Sequence, residues 1–251
     1  MMSKCWPIVC FVCLTACQSS PTPQERREDP EKIAALNTQL AIQYIQEAQY
    51  DIALKRIEKA LAADPRHVDA FNAQGLLYNR LGESEKAESS FKRAIRIEPD
   101  NSGALNNYGL FLCSQKRYDE GIELLTKAIA NPLYRNPEIA YGNAGNCALR
   151  KSDNTLAENY FRQALEINPN FAAVLLEMSK LFFSREDFLR ARAYMQRYQT
   201  NANHTAETLW LAVRIERGMG DKDAAASYAL RLEKAFPDAI ETRSLLDSES
   251  P

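Results

Sequence analysis

Histidine is almost missing from this chain: His67 and His204 are the only two in 251 residues. Neither has a partner at metal-ligand spacing, so no metal site is expected, and both read as surface or helix-capping residues. There is no glycine-rich phosphate loop and no nucleophile elbow. The acidic residues are scattered, and no active carboxylate pair can be picked from them. No stretch alternates with the two-residue period of a strand, so no sheet is expected. Neither sign of charge dominates: 31 Lys and Arg stand against 33 Asp and Glu, a net charge of −2. The signs are interspersed, as on solvated helix faces, which argues against a nucleic-acid partner. No apolar run reaches the roughly 20 residues that span a bilayer. These absences leave no basis for an enzyme, a cofactor or a small-molecule substrate.

What is present begins at the first residue. Met1-Met2-Ser3-Lys4 is a short positive start, Cys5 to Leu14 a short apolar run, and Leu14-Thr15-Ala16-Cys17 a small-residue ending. This is the layout of a secretory signal peptide. Leu-Thr-Ala-Cys also resembles the lipobox of bacterial lipoproteins. That resemblance implies removal of residues 1–16 and lipidation of Cys17; an ordinary cleaved signal peptide, or a poorly spanning anchor, is the plainer alternative. The segment from Gln18 to Pro30 is polar and carries three prolines. It cannot bury enough surface to offset its ordering entropy, so residues 17–33 are expected to form a flexible tether. Among known lipoproteins an aspartate after the cysteine favours the inner membrane. Gln18 stands there instead, which by the same resemblance favours the outer membrane and its periplasmic face. One acyl chain anchors only marginally; several hold firmly.

The remainder repeats. Ala53-Leu54-Lys55-Arg56-Ile57-Glu58-Lys59-Ala60 returns 34 residues later as Ala87 to Ala94, again as Gly121 to Ala128, and 36 residues later as Ala157 to Ala164. Ala191 and Ala225 continue the series. The two extra residues are expected within Asn131 to Pro137. Cassettes close at Asp64-Pro65, Glu98-Pro99 and Asn168-Pro169, where proline stops a helix. Gly75, Gly109 and Gly145 recur at a small position on the first helix, and Tyr44 and Tyr78 fill an aromatic position three residues on. This period and these small residues resemble the tetratricopeptide repeat. The resemblance implies an all-α, right-handed superhelical solenoid of six helix pairs (34–67, 68–101, 102–137, 138–171, 172–205 and 206–239). Residues 240–251 would supply a short capping helix, with Leu245 and Leu246 over repeat six. One helix pair cannot cover its own apolar face, so stacking is obligatory.

Two cysteines remain within the repeats. Cys113 and Cys147 lie 34 residues apart on the first helices of repeats three and four. In an exported protein such a pair suggests a disulfide, contributing roughly 3–4 kcal/mol in the chain-entropy model. Two buried free thiols acting as small apolar fillers are the other reading.

In tetratricopeptide proteins the second, fifth, ninth and twelfth residues of each repeat face a concave groove. That resemblance implies a partner-binding face containing Thr38, Ile42 and Ile45 in repeat one, and Asp69, Asn72, Leu76 and Asn79 in repeat two. It continues through Asn106, Leu110 and Cys113 in repeat three, Ile139, Asn146 and Leu149 in repeat four, and Leu176, Lys180 and Phe183 in repeat five; that several of these are solvated or pack within the stack is the plainer alternative. Asparagine amides both donate to and accept from an extended backbone; apolar neighbours take side chains. Ile42 and Ile45 would make repeat one the more apolar end.

A lipobox followed at once by six such repeats resembles the type IV pilus biogenesis lipoproteins, the PilF/PilW pilotins. Asn106-Asn107-Tyr108-Gly109, Phe111-Leu112-Cys113 and Tyr141-Gly142-Asn143-Ala144-Gly145 carry the likeness with the cysteine pair. The resemblance implies a lipid-anchored outer-membrane scaffold that holds a secretin subunit and promotes secretin localisation or assembly, and hence twitching motility. An adaptor for cell-wall enzymes or outer-membrane protein assembly, holding another envelope protein, is the alternative.

Overall fold

A computed structural model describes residues 29–249, so Cys17 and most of the expected tether lie outside the described residues. The chain forms α1(Pro30–Gln46), α2(Tyr50–Ala63), α3(Val68–Arg80), α4(Ser84–Ile97), α5(Ser102–Ser114), α6(Tyr118–Ala130), α7(Pro137–Arg150), α8(Asn154–Ile167), α9(Ala172–Ser184), α10(Phe188–Gln199), α11(Ala206–Met219), α12(Lys222–Ala235) and α13(Ile240–Glu249). There is no strand among the described residues. Odd and even helices pair as α1–α2 through α11–α12, and successive pairs stack. Residues 131–136 join α6 to α7, where 64–67, 98–101 and 168–171 suffice at the corresponding junctions. The two-residue insertion therefore sits in that loop, and α7 packs more extensively on α6 than α3 does on α2 or α5 on α4.

The first helix begins four residues before the expected start of repeat one. Asp29 caps it by accepting from the Glu31 amide at 3.1 Å, and Pro30 occupies its first turn. A carboxylate cap followed by proline is a strong helix start, because proline there gives up no needed donor. Residues 30–33 are thus helix and not tether.

Each first helix ends in the same turn. Ala48, Gly82, Lys116, Ser152, Glu186 and Gly220 all have φ between +57° and +77°. Past each of them an amide reaches back to the carbonyl of Tyr44, Tyr78, Leu112, Ala148, Phe182 or Glu216 at 2.8–3.0 Å. This is the Schellman closure, in which one left-handed residue returns the chain antiparallel.

Inside a repeat, small residues meet large ones. A methyl added at Gly75 would lie 2.6 Å from the Phe91 ring, and one at Gly145 would strike Phe161. Ala53, Ala87, Ala157 and Ala191 are buried to 0–1 % exposure at the second-helix contact. Ser179, at the small position of repeat five, is equally buried, and its hydroxyl donates to the Ala191 carbonyl at 2.9 Å. Helix α13 caps the stack. Leu245 is fully buried with Leu209, Val213, Ala229 and Leu232, whereas Leu246 stays half-exposed, so one of the two expected leucines seals repeat six.

Candidate functional site

First helices line one face of the stack, and along it the ninth residue of each repeat stays at least partly open. The row runs Ile42, Leu76, Leu110, Asn146, Lys180 and Arg214. At its centre Leu110, Asn146 and Leu149, with Cys113, Cys147, Asn143, Arg150 and Glu177, line a cleft of about 530 Å³. The structure joins Cys113 to Cys147 across its floor, with Cα atoms 5.6 Å apart. That bridge accounts for a departure in repeat three. Gly121 replaces the alanine used elsewhere, and a methyl there would collide with the Cys113 sulfur and lie 2.7 Å from the Gly109 carbonyl oxygen.

Several residues expected to face a partner are occupied within the protein. Thr38 is buried, and its hydroxyl donates to the Ala34 carbonyl at 2.8 Å. Ile45 belongs to the core with Ala41, Ala53 and Ile57, while Ile42 leans on that cluster and stays half-buried. Asn72 and Asn106 are buried at 9 % and 7 % exposure. They belong to a side-chain amide chain crossing three first helices: Asn107 donates to Asn72 at 3.1 Å, Asn106 to Asn107 at 3.3 Å, and Asn143 to Asn106 at 2.9 Å. A buried amide must be paired, and here the pairing ties α3, α5 and α7 together. Leu76 and Leu149 are half-buried, and Asn79, Leu110, Ile139 and Asn146 are exposed. The groove available to a partner is therefore the outer row, with the amide chain beneath it as structure.

Sequence reasoning reached Lys180 and Phe183 but missed Arg214 in repeat six, at the far end of this face. Arg214 lies 4.8 Å from the Phe183 ring centre and 5.6 Å from that of Trp210. Burial pulls its pKa down, and Glu207 opposes the shift. Glu207 is itself engaged by Lys180 at 2.8 Å, and Lys180 also pairs with Glu177 at 3.4 Å. Burial works against the Lys180 charge, but the hydrogen bond to Glu207 and the charge of Glu177 outweigh it, leaving its pKa raised. The 34-residue period counted on from Lys180, past the insertion, would have found Arg214. The two histidines stand apart from the face. His67 occupies the N-cap position of α3 without a side-chain cap bond, its Nδ1 3.5 Å from an Asp64 carboxylate oxygen. His204 is half-buried between Tyr198 and Tyr228, so it is a packing residue and not a surface one; burial lowers its pKa. No cluster of His, Cys, Asp or Glu among the described residues could hold a metal ion.

Family profiles described as "Tetratricopeptide repeat" match residues 38–102 and 143–206, and a second of the same description matches 100–170. The chain is 30 % identical over 229 residues to the type IV pilus assembly protein PilF of Pseudomonas aeruginosa, covering 91 % of this chain and 90 % of that one. The crystal structure of PilW, a type IV pilus biogenesis factor, superposes with a TM-score of 0.78 at 32 % identity, covering 86 % of this chain and 99 % of PilW. A structure of P. aeruginosa PilF gives a TM-score of 0.78 at 29 % identity over 88 % of this chain and all of that one. Stacked helix pairs, an open first-helix face and similarity over about nine-tenths of the chain converge: this is a non-enzymatic, protein-binding repeat scaffold, and the chain belongs to the PilF/PilW family of type IV pilus biogenesis proteins.

Proposed function

We propose that this protein is a pilotin: a lipoprotein anchored through Cys17 to the outer membrane, facing the periplasm, that holds a secretin subunit on its first-helix face and promotes assembly of the secretin pore. Its role in type IV pilus biogenesis follows from the family; the secretin as partner, the anchor and twitching motility are the further step. The observation that carries it is an open row of first-helix residues running the length of a scaffold whose relatives serve pilus assembly. The sequence start supplies the address, and joining a lipid to a receptor raises the effective concentration of the partner at the membrane. The Cys113–Cys147 bridge, formed after export, would brace the centre of that face.

Deleting the gene tests the reading. Secretin multimers should disappear while pilin levels stay unchanged; normal multimers in the deletion strain would remove the pilotin role. Cys17→Ser should release the protein from membranes, and continued sedimentation with them would contradict the anchor.

A further inference from the structure

The ninth-residue row changes chemistry along its length. Ile42, Leu76 and Leu110 are aliphatic, Asn146 is a neutral amide, and Lys180 and Arg214 are cations. The change coincides with the end of the buried amide chain at Asn143 and with aromatic rings entering the face as Phe183 and Trp210. Lys180 is committed to two carboxylates of the protein itself. Arg214 is not: among the described residues no carboxylate lies within ion-pairing distance of it, and its guanidinium lies against two rings. Ring contact of this kind holds a guanidinium in place while leaving its edge donors free. A planar fork held in that way suits the bidentate geometry of a carboxylate. Arg150, on the rim of the central cleft, likewise makes no ion pair among the described residues.

We propose that the first-helix face binds an extended peptide segment in one direction, with apolar side chains over repeats one to three and an acidic side chain over repeat six, where Arg214 takes its carboxylate. The proposal deepens the reading of this face as the receptor surface and specifies the chemistry of the segment it receives. Neighbouring helices pack roughly 8–10 Å apart, so the five steps from Ile42 to Arg214 cross roughly 40–50 Å, the reach of about 12–15 extended residues. With Lys180 already neutralised by Glu177 and Glu207, the Arg214–carboxylate contact at one end and apolar burial at the other would fix the register, which neither achieves alone.

The experiment uses the full chain and fluorescent peptides of about twelve residues. One peptide carries leucines alternating with serines in its first half and aspartates alternating with glycines in its second. A second replaces each aspartate with lysine. Fluorescence anisotropy should show binding of the acidic peptide, weakened by salt, and at least about tenfold weaker binding of the lysine peptide. Arg214→Gln should cost the acidic peptide about tenfold, and Arg214→Lys should restore part of it. Circular dichroism melting establishes that each variant folds. Should Arg214→Gln unfold, Arg214→Met, which keeps an aliphatic stem against the Phe183 and Trp210 rings and removes the fork, replaces it, with the same loss expected. A photo-crosslinker at the acidic end should label α9 or α11. Equal binding of both peptides, an unchanged affinity in folded Arg214→Gln, crosslinks on α1 or α3, or no binding at about millimolar peptide would overturn the proposal. Those failures leave the secretin experiment untouched, and normal multimers in the deletion strain would leave this peptide preference standing.

Discussion

Lys116 illustrates how much a single backbone angle decides. It sits at φ 64° in the turn between α5 and α6, where Gly82 and Gly220 serve the equivalent turns. A non-glycine residue in that region costs roughly 1–2 kcal/mol, and glycine brings back part of that as unfolded-state entropy. Lys116→Gly should therefore stabilise the array by about 0.5–1 kcal/mol, read as a higher denaturant midpoint; a lower midpoint would contradict the assignment of strain. Glu88 is the complementary case. Hydrogen bonds from Lys92 and then Arg117, with a further one from Tyr108, hold its pKa down to about 2 from an ordinary 4.5. A carboxylate depressed in the folded state contributes stability above its unfolded pKa and loses it as pH falls. The stability difference between the natural protein and Glu88→Gln should thus be full at neutral pH and shrink between pH 4.5 and about 2. A difference that does not change over that window would argue against the cluster.

At the scale of elements, close helix approach is the organising constraint. Gly75 lies under the Phe91 ring, so Gly75→Ala should destabilise by about 1–3 kcal/mol through overpacking, measurable as a drop in Tm. Around Gly121 the same approach accommodates a sulfur atom in place of a methyl. Cys147→Ser should cost about 3 kcal/mol under oxidising conditions, and added reductant should bring the natural protein toward the variant. An indifferent response to reductant would mean free thiols. The small-and-large spacing was legible because each repeat must solve the same packing problem with the same residues; the insertion before α7 was legible because it broke that spacing. Ala48, Ser152 and Glu186 in left-handed turns were not legible, since nothing in a side chain of that kind announces positive φ. The start at Pro30 was hidden by composition: a charged, proline-bearing stretch reads as tether until Asp29 is seen as its cap. Asn72 and Asn106 were misread for a different reason. The repeat position gives the face a residue occupies, but not that Asn107 and Asn143 on neighbouring helices would pair with it. Asn106→Leu should therefore lower stability by about 1–3 kcal/mol, because it strands the amides of Asn107 and Asn143; an unchanged Tm would mean that solvent pairs them equally well.

For the molecule as a whole, these contacts produce a rod with one face reserved. Second helices bury their alanines against the first, α13 closes the far end, and the buried amide chain binds the first helices together beneath an open outer row. That division of labour lets the exposed members of the row vary without unfolding the stack. Leu110 is the informative position, since it is exposed, central and on the rim of the cleft above the cysteine pair. Glu123, exposed on the second helix α6, provides the control from the other helix layer. The most direct measurement is the level of secretin multimers in a strain whose only copy carries Leu110→Asp, beside one carrying Glu123→Lys, with both proteins accumulating normally. Multimers should fall sharply with Leu110→Asp and persist with Glu123→Lys; undiminished multimers with Leu110→Asp would contradict the receptor face.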